Sequence, residues 1–361
     1  MRFLGGTQEG SAGTKLFFGV LGVIVVLGVW ILLTNGATPI VERVPSPFKV
    51  FTSYGELFNQ NEALKNIGFS LGLNISGYLE AILIVIPLGF IIGLIKYARW
   101  GFQRQVDALR YVPLTAVTLL FVLWFGIGVP MKVHFLAFGI LIYLLPIMVQ
   151  RIDEVADVYL KTVHTLGATD WQVLRTVYIP SVLSRLFDDI RVLTAISWTY
   201  IIVAETMNSN EGGIGTLIYY AGQRQGRYDK VFALLLIIMA IGIIQDKIFI
   251  WLDREFFPFK YQAIDAVKSS SIQQKGVLSV AFDYSIMVMG WVGLAIYFIL
   301  LMAEYFSLLG GVKPLSYIFG STIWVINTVV IFLLIYKIWR WYHNRTDQLL
   351  IKSASAKSAR A

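Results

Sequence analysis

Apolar blocks close to the length of a bilayer crossing recur along this 361-residue sequence, and they constrain the fold more than any other feature. About 20 residues at 1.5 Å rise each cross a hydrocarbon core of about 30 Å. Blocks of this kind fall near 16–33, 70–95, 112–126, 134–150, 190–205, 231–252, 284–306 and 318–339. A water-soluble domain carries about 25% charged and 45–50% apolar residues. Here the figures are 14% and 57%, with a mean hydropathy of +0.69. The predicted fold class is an all-α polytopic membrane protein. Gly126, Gly128 and Pro130 separate the short third and fourth blocks, which predicts a helical hairpin there.

The run Leu16–Leu33 follows Arg2 and Lys15. It is longer than the about 7–15 apolar residues of a leader and no small-x-small cleavage pattern follows, so it reads as an uncleaved first span. The net charge is +8. Lys and Arg lie between the apolar blocks and not on a free basic face, which argues for membrane orientation and against nucleic-acid binding. With the N-terminus in the cytoplasm, the inner segments hold most of these residues, including Lys96, Arg99, Arg104 and Arg110, Arg151 to Arg191, and Lys337 to Arg360. Both chain ends are therefore placed in the cytoplasm.

Several chemistries are excluded or unsupported. The chain has no Cys, which removes disulfides and thiolate metal sites. His134, His164 and His343 share no metal-ligand spacing and read as interfacial. Gly68-Phe-Ser-Leu-Gly72 has the spacing of a hydrolase nucleophile elbow, but it opens an apolar helix instead of following a strand. Gly13-Thr-Lys15 lacks the Gly-Lys-Ser/Thr of a phosphate loop, so no nucleotide site is expected in this chain. Gly89 and Gly93 read as a close helix-packing step. Among ionisable residues in the blocks, Asp246 is expected to turn into the bundle and Lys247 to reach for the headgroups. Glu80 and Glu205 are expected near span ends, close to water.

The segment 150–189, between the fourth and fifth blocks, is neither a short turn nor a polar linker. Residues 155–163 have helical apolar spacing, Leu166-Gly167-Ala168 reads as a helix stop, and Thr169 with Gln172 forms a capping-box pattern. Trp171, Leu174 and Val177 are predicted to share one face, and Pro180 to end or kink the element. Two short helices hinged at Gly167 either lie on lipid headgroups or dock into a groove on a soluble partner. By polarity alone, Ser197, Thr199 and Tyr200 are pathway-lining candidates.

Leu166-Gly-Ala-Thr-Asp-Trp-Gln172 through Val177-Tyr-Ile-Pro180 resembles the EAA loop of binding-protein-dependent ABC importer permeases, with Gly167 and Pro180 at the matching spacing. Lys161-Thr162-Val163 stands where the family has Glu-Ala-Ala. Val44-Pro-Ser-Pro47, Pro87-Leu-Gly89 with Gly93, Leu123-Trp-Phe-Gly-Ile-Gly128, Val203-Ala-Glu205, Gly212-Gly-Ile-Gly215 and Tyr228-Asp-Lys-Val-Phe-Ala233 resemble the nitrate/sulfonate/taurine/bicarbonate branch. The resemblance covers about 16–262. It implies a type I importer permease core of about six transmembrane helices in the cell (inner) membrane, importing a small anion by alternating access.

The resemblance also implies partners: a separate ATPase subunit that binds ATP and Mg, a second permease copy and an outer substrate-binding protein. Lys161, Thr162, Val163, His164, Leu166, Gly167, Ala168, Thr169, Asp170 and Trp171 would then contact the ATPase. The chain itself would be a transporter subunit and not an enzyme, with no cofactor of its own. The expected organisation is a core at 1–262, a polar linker at 263–283, and two further spans with a disordered basic tail at 284–361. Two other classes stay open: a secondary transporter, which calls for paired repeats with broken helices, and a non-transporting scaffold that recruits a soluble partner through the loop.

Overall fold

The computed structural model describes residues 12–34, 44–207, 211–261, 277–308 and 310–358. These residues form helices and turns, with no strand among them. Among the described residues, five helices are long and apolar enough to cross a bilayer, over Leu16–Thr34, Ala63–Leu94, Val129–Asp153, Tyr228–Phe256 and Pro314–Arg340.

Helix α1 (Ala12–Thr34) lies outside the bundle with its apolar side chains exposed, as a lipid-facing helix is. It touches the rest through Trp30, whose indole N–H donates to the Pro45 carbonyl (3.0 Å) and whose ring stacks on Phe232. Helix α2 (Pro47–Asn59) starts at a Ser46 cap with Pro47 in its first turn, which is where proline costs no hydrogen bond.

The centre of the fold is α3 (Ala63–Leu94) against α6 (Val129–Asp153), two long helices whose facing residues form most of the core. Gly89 and Gly93 bring α3 onto Met148 and Ile152 of α6, leaving no room for a side chain, which is the packing role read from their spacing.

Between them in sequence, α4 (Lys96–Leu109) and α5 (Leu114–Phe125) are apolar enough to span only as a pair, and that pair is bent by 106°. The block at 112–126 is therefore the second limb of a broken helix. Pro113, at the α5 N-cap, has no N–H to continue the α4 ladder. The expected reversal at Gly126–Gly128 is present, and Phe121 of α5 packs on Phe135 and Phe138 of α6.

Helix α7 (Asp157–Thr165) precedes α8 (Asp170–Val173), a π turn (Leu174–Tyr178) and α9 (Ile179–Met207), which run on as one rod. Pro180 does not end this element. The π turn, closed by Ile179 N–H on the Leu174 carbonyl, widens the backbone just before the proline. The block at 190–205 is the far part of α9; Arg185, Asp188 and Asp189 lie on its near part, and Arg191 falls just inside the block. Arg191 pairs with Asp246 of α11 (Tyr228–Phe256) at 2.5 Å, so Asp246 does turn into the bundle. Helix α10 (Ile214–Tyr219) fills the turn between α9 and α11.

The remaining helices are α12 (Val277–Tyr305), α13 (Pro314–Phe319) and α14 (Ile323–Ser358). Most of the expected linker lies outside the described residues, and its last part, 277–283, is helix. The basic tail, expected to be disordered, continues α14 as far as Ser358. The addition docks on α3. Ile318 and Thr322 press into Gly68 and Gly72, where a Cβ would collide with both, so the false hydrolase motif is a packing surface. Glu304 accepts from the N–H groups of Leu315 (3.0 Å) and Ser316 (3.3 Å), and Lys337 and Arg340 pair with Glu255 of α11. A cavity of about 840 Å³ remains between α3, α6 and α14. There Glu80 meets His134 at 2.7 Å, so these two residues form a pair instead of sitting separately at an interface.

Candidate functional site

The loop at 154–179 is built to hold its shape. Helix α7 ends in a Schellman arrangement: Gly167 N–H donates to the His164 carbonyl (3.0 Å) and Ala168 N–H to that of Val163 (3.1 Å). Gly167 has φ +77°, the left-handed region that this ending requires and that glycine adopts without strain. Thr169 then caps α8, with its side chain accepting from Gln172 N–H (3.4 Å) and its own N–H donating to Gln172 Oε1 (2.8 Å). The capping box and glycine stop read from sequence are both present.

The loop's base is fixed by charge. Arg151 makes a two-pronged pair with Asp189 (2.7 and 2.8 Å) and reaches Glu154 at 2.6 Å. Arg185 donates to the Glu154 carbonyl (2.9 Å), and Arg99 of α4 pairs with Asp153. The Arg151 guanidinium holds the Glu154 carboxyl below its ordinary range. Sequence reasoning read these arginines only as orientation signals. The cluster is invisible there because Arg151 and Asp189 are 38 residues apart.

One side of the loop is seated and the other is bare. Val155, Val173 and Val177 are buried, and Leu160 and Val163 pack on the core. Lys161, Thr162, His164, Leu166, Gly167, Thr169, Asp170 and Trp171 are exposed, and Ala168 is half-buried. Leu166 is 79% and Trp171 66% exposed, beside Val158 and Tyr159. Trp171 therefore does not share the buried face of Val177, as its spacing implied. It sits in the first turn of α8, and the π turn after it breaks the regular 3.6-residue count.

The three pathway candidates separate. Ser197 is fully buried between α3 and α9, accepting from Asn74 Nδ2 (2.9 Å) and donating to the Thr194 carbonyl (2.7 Å). Thr199 and Tyr200 line a cavity of about 390 Å³ at the α4–α5 break, with Arg110, Tyr111, Thr115 and Tyr143. Arg110, in the connection between α4 and α5, is thus part of a cavity wall.

At the other end of α9, motifs far apart in sequence meet. Glu205 is fully buried instead of near water. Ser70 Oγ donates to it at 2.5 Å and Gly215 N–H at 2.7 Å, while Ile214 N–H donates to Ser70 Oγ (2.9 Å). Asn66 Oδ1 accepts from Gly213 N–H (2.7 Å). Gly213, at φ +112°, lies so close to the Glu205 carboxylate that a Cβ would overlap it. Beside this latch the ammonium group of buried Lys132 pairs with Glu211 at 3.1 Å.

Residues 85–257 match the family described as binding-protein-dependent transport system inner membrane component. An ABC transporter permease protein of Methanocaldococcus jannaschii is 30% identical over 216 residues, covering 57% of this chain and 77% of that protein. An aliphatic sulfonates transport permease protein of Bacillus subtilis is 25% identical over 245 residues, covering 67% and 87%. Among solved structures, a bacterial ABC transporter involved in import of the acidic polysaccharide alginate aligns at TM-score 0.47 and 15% identity, over 68% of this chain and 93% of that one.

Proposed function

The chain belongs to the binding-protein-dependent transport system inner membrane components, the permease subunits of ABC transporters, and from that premise we propose that it carries a small organic or inorganic anion of the sulfonate type inward across the cell membrane. The aliphatic sulfonate permease among its relatives supports that substrate class. The chain is a transporter subunit. In this reading both its ends are cytoplasmic, it pairs with a second permease copy, an outer binding protein delivers the anion, and ATP and Mg are bound by a separate ATPase.

The observation that carries the reading is the loop at 154–179. A helix pair that is capped, ion-paired at its base and bare on the side of Leu166, Trp171, Val158 and Tyr159 has the form of a helix ridge awaiting a groove. The rod from Asp170 to Met207 passes through the level of Thr199 and Tyr200, so a push at Trp171 moves the wall of the cavity directly. Closure of the ATPase on ATP then biases the permease between two states by its differential contact with the loop.

Purification of the chain from its native membrane in mild detergent tests this. The expected result is a co-purifying soluble ATPase that is lost when 161–171 is altered. Recovery without an ATPase, under conditions that keep other transporters whole, favours the scaffold and removes the coupling role.

A further inference from the structure

We propose that the cavity at the α4–α5 break is an anion station inside the membrane, with the Arg110 guanidinium as its charge and the mutually hydrogen-bonded hydroxyls of Tyr200 and Tyr143 as its donor group. The Thr199 hydroxyl, which lines the cavity, donates to the Ile196 carbonyl (2.6 Å). The proposal deepens the importer reading and rests on it for the substrate class, a small singly charged oxyanion such as an alkyl sulfonate.

Depth is the first argument. Phe135 and Tyr143 line the cavity six and fourteen residues along α6 from Val129, and Thr199 lies eight residues before the Met207 end of α9. At 1.5 Å per residue these positions are about 9, 21 and 12 Å from the helix ends. The cavity therefore lies within a hydrocarbon layer of about 30 Å. An arginine at such depth is costly unless it faces water or a counter-charge.

The backbone is the second argument. Residues 110–113 leave the helix between the two limbs. Non-helical backbone at membrane depth persists only where it is buried in protein or lines a wet cavity. Here Tyr111 is 82% exposed and Pro113 is exposed, so the wet cavity is the alternative that fits.

Charge is the third. Arg110 is the one charged residue of the lining. Among the described residues its contacts are to Asp107, which is outside the lining: Nε donates to the Asp107 carbonyl (3.2 Å) and Nη2 stands 3.4 Å from Oδ1. The second contact is long for a charged pair, and Asp107 also accepts from Gln103 (3.1 Å). Arg110 also sits at the C-cap of α4, where a cation is favourable on structural grounds alone. That role accounts for the charge and not for the hydroxyls gathered around it. The helices beyond α11 contribute nothing to this lining.

Equilibrium binding of sulfur-labelled ethanesulfonate to the full chain in lipid nanodiscs tests the proposal, with thermal unfolding measured on the same samples. Saturable binding is expected, with choline failing to compete. Arg110→Gln should weaken it about tenfold or more and Arg110→Lys should recover part of the loss. Tyr143→Phe should weaken it about threefold, and it carries the test if Arg110→Gln does not fold. Wild-type affinity in Arg110→Gln, even with lowered thermal stability, overturns the proposal and leaves only the helix-cap role. Absence of ethanesulfonate binding to the wild-type chain also overturns it. Both outcomes are independent of ATPase recovery, so the importer reading stands or falls separately.

Discussion

The loop at 154–179 and the segment 211–216 that meets Glu205 are glycine-bearing connections at the two ends of α9, yet they settle their polar and apolar groups in opposite ways. Around that segment, Glu205, Ser70, Asn66 and the N–H groups of Gly213, Ile214 and Gly215 satisfy one another inside the chain. In the loop, the backbone is satisfied by Thr169 and the Gly167 stop, but the large apolar side chains point away from the chain. A closed polar network makes a rigid joint, because every missing bond in it would leave a buried group unpaired. An ordered but uncovered apolar ridge makes a contact surface. One end of the same rod is thus fastened to α3, and the other leaves Leu166 and Trp171 uncovered within this chain, as the proposed coupling role requires.

The comparison breaks most decisively at Gly213. Gly213→Val sets a β-branched residue at φ +112° and drives a methyl-bearing carbon into the Glu205 carboxylate. The strain and the lost bond to Gly215 together cost about 3–5 kcal/mol. The expected outcome is a marked fall in thermal stability in detergent; an unchanged transition would show that the turn is not fastened as described. Trp171→Ala probes the opposite behaviour. The side chain is two-thirds exposed, so the chain's own unfolding should not move, while affinity for the ATPase falls by about 2 kcal/mol, about 30-fold, as for a central interface aromatic. A destabilised chain with normal ATPase affinity would reverse the contrast. Thr169→Ala has the smallest expected effect, about 1 kcal/mol on the order of the loop alone. Hydrogen exchange should rise in the first turn of α8 and stay level at 211–216.

Much of this molecule is legible in one dimension. The apolar blocks at 16–33, 70–95, 134–150, 231–252 and 318–339, the Gly167 stop and the Thr169–Gln172 capping box are local patterns whose physics acts within a few residues, and they appear where the sequence places them. Among the described residues, the blocks at 112–126, 190–205 and 284–306 do not form separate spans of that length. The close packing of Gly89 and Gly93 is likewise local in cause. The misreadings share a different origin. A regular period puts Trp171 on the buried face, but the π turn after it interrupts that period; at Pro180, read as an end or a kink, the same turn distorts the backbone while the helix runs on. Polarity alone groups Ser197 with Thr199 and Tyr200, but Thr199, two residues on, faces another way, and Ser197 is taken up by Asn74 of α3.

By itself, the sequence determined that the chain spans a membrane, where its main apolar helices run, and that an ordered helix pair interrupts the spans, because bilayer thickness, helical period and end-capping act on neighbouring residues. Tertiary structure alone decided the rest. It placed Glu205 against two glycines and Arg151 against Asp189, filled Gly68 and Gly72 with Ile318 and Thr322, and brought Arg110 to the cavity of Thr199 and Tyr200. The physical reason is that burial and pairing depend on which helix faces meet, and those contacts join residues separated by tens to hundreds of positions along the chain.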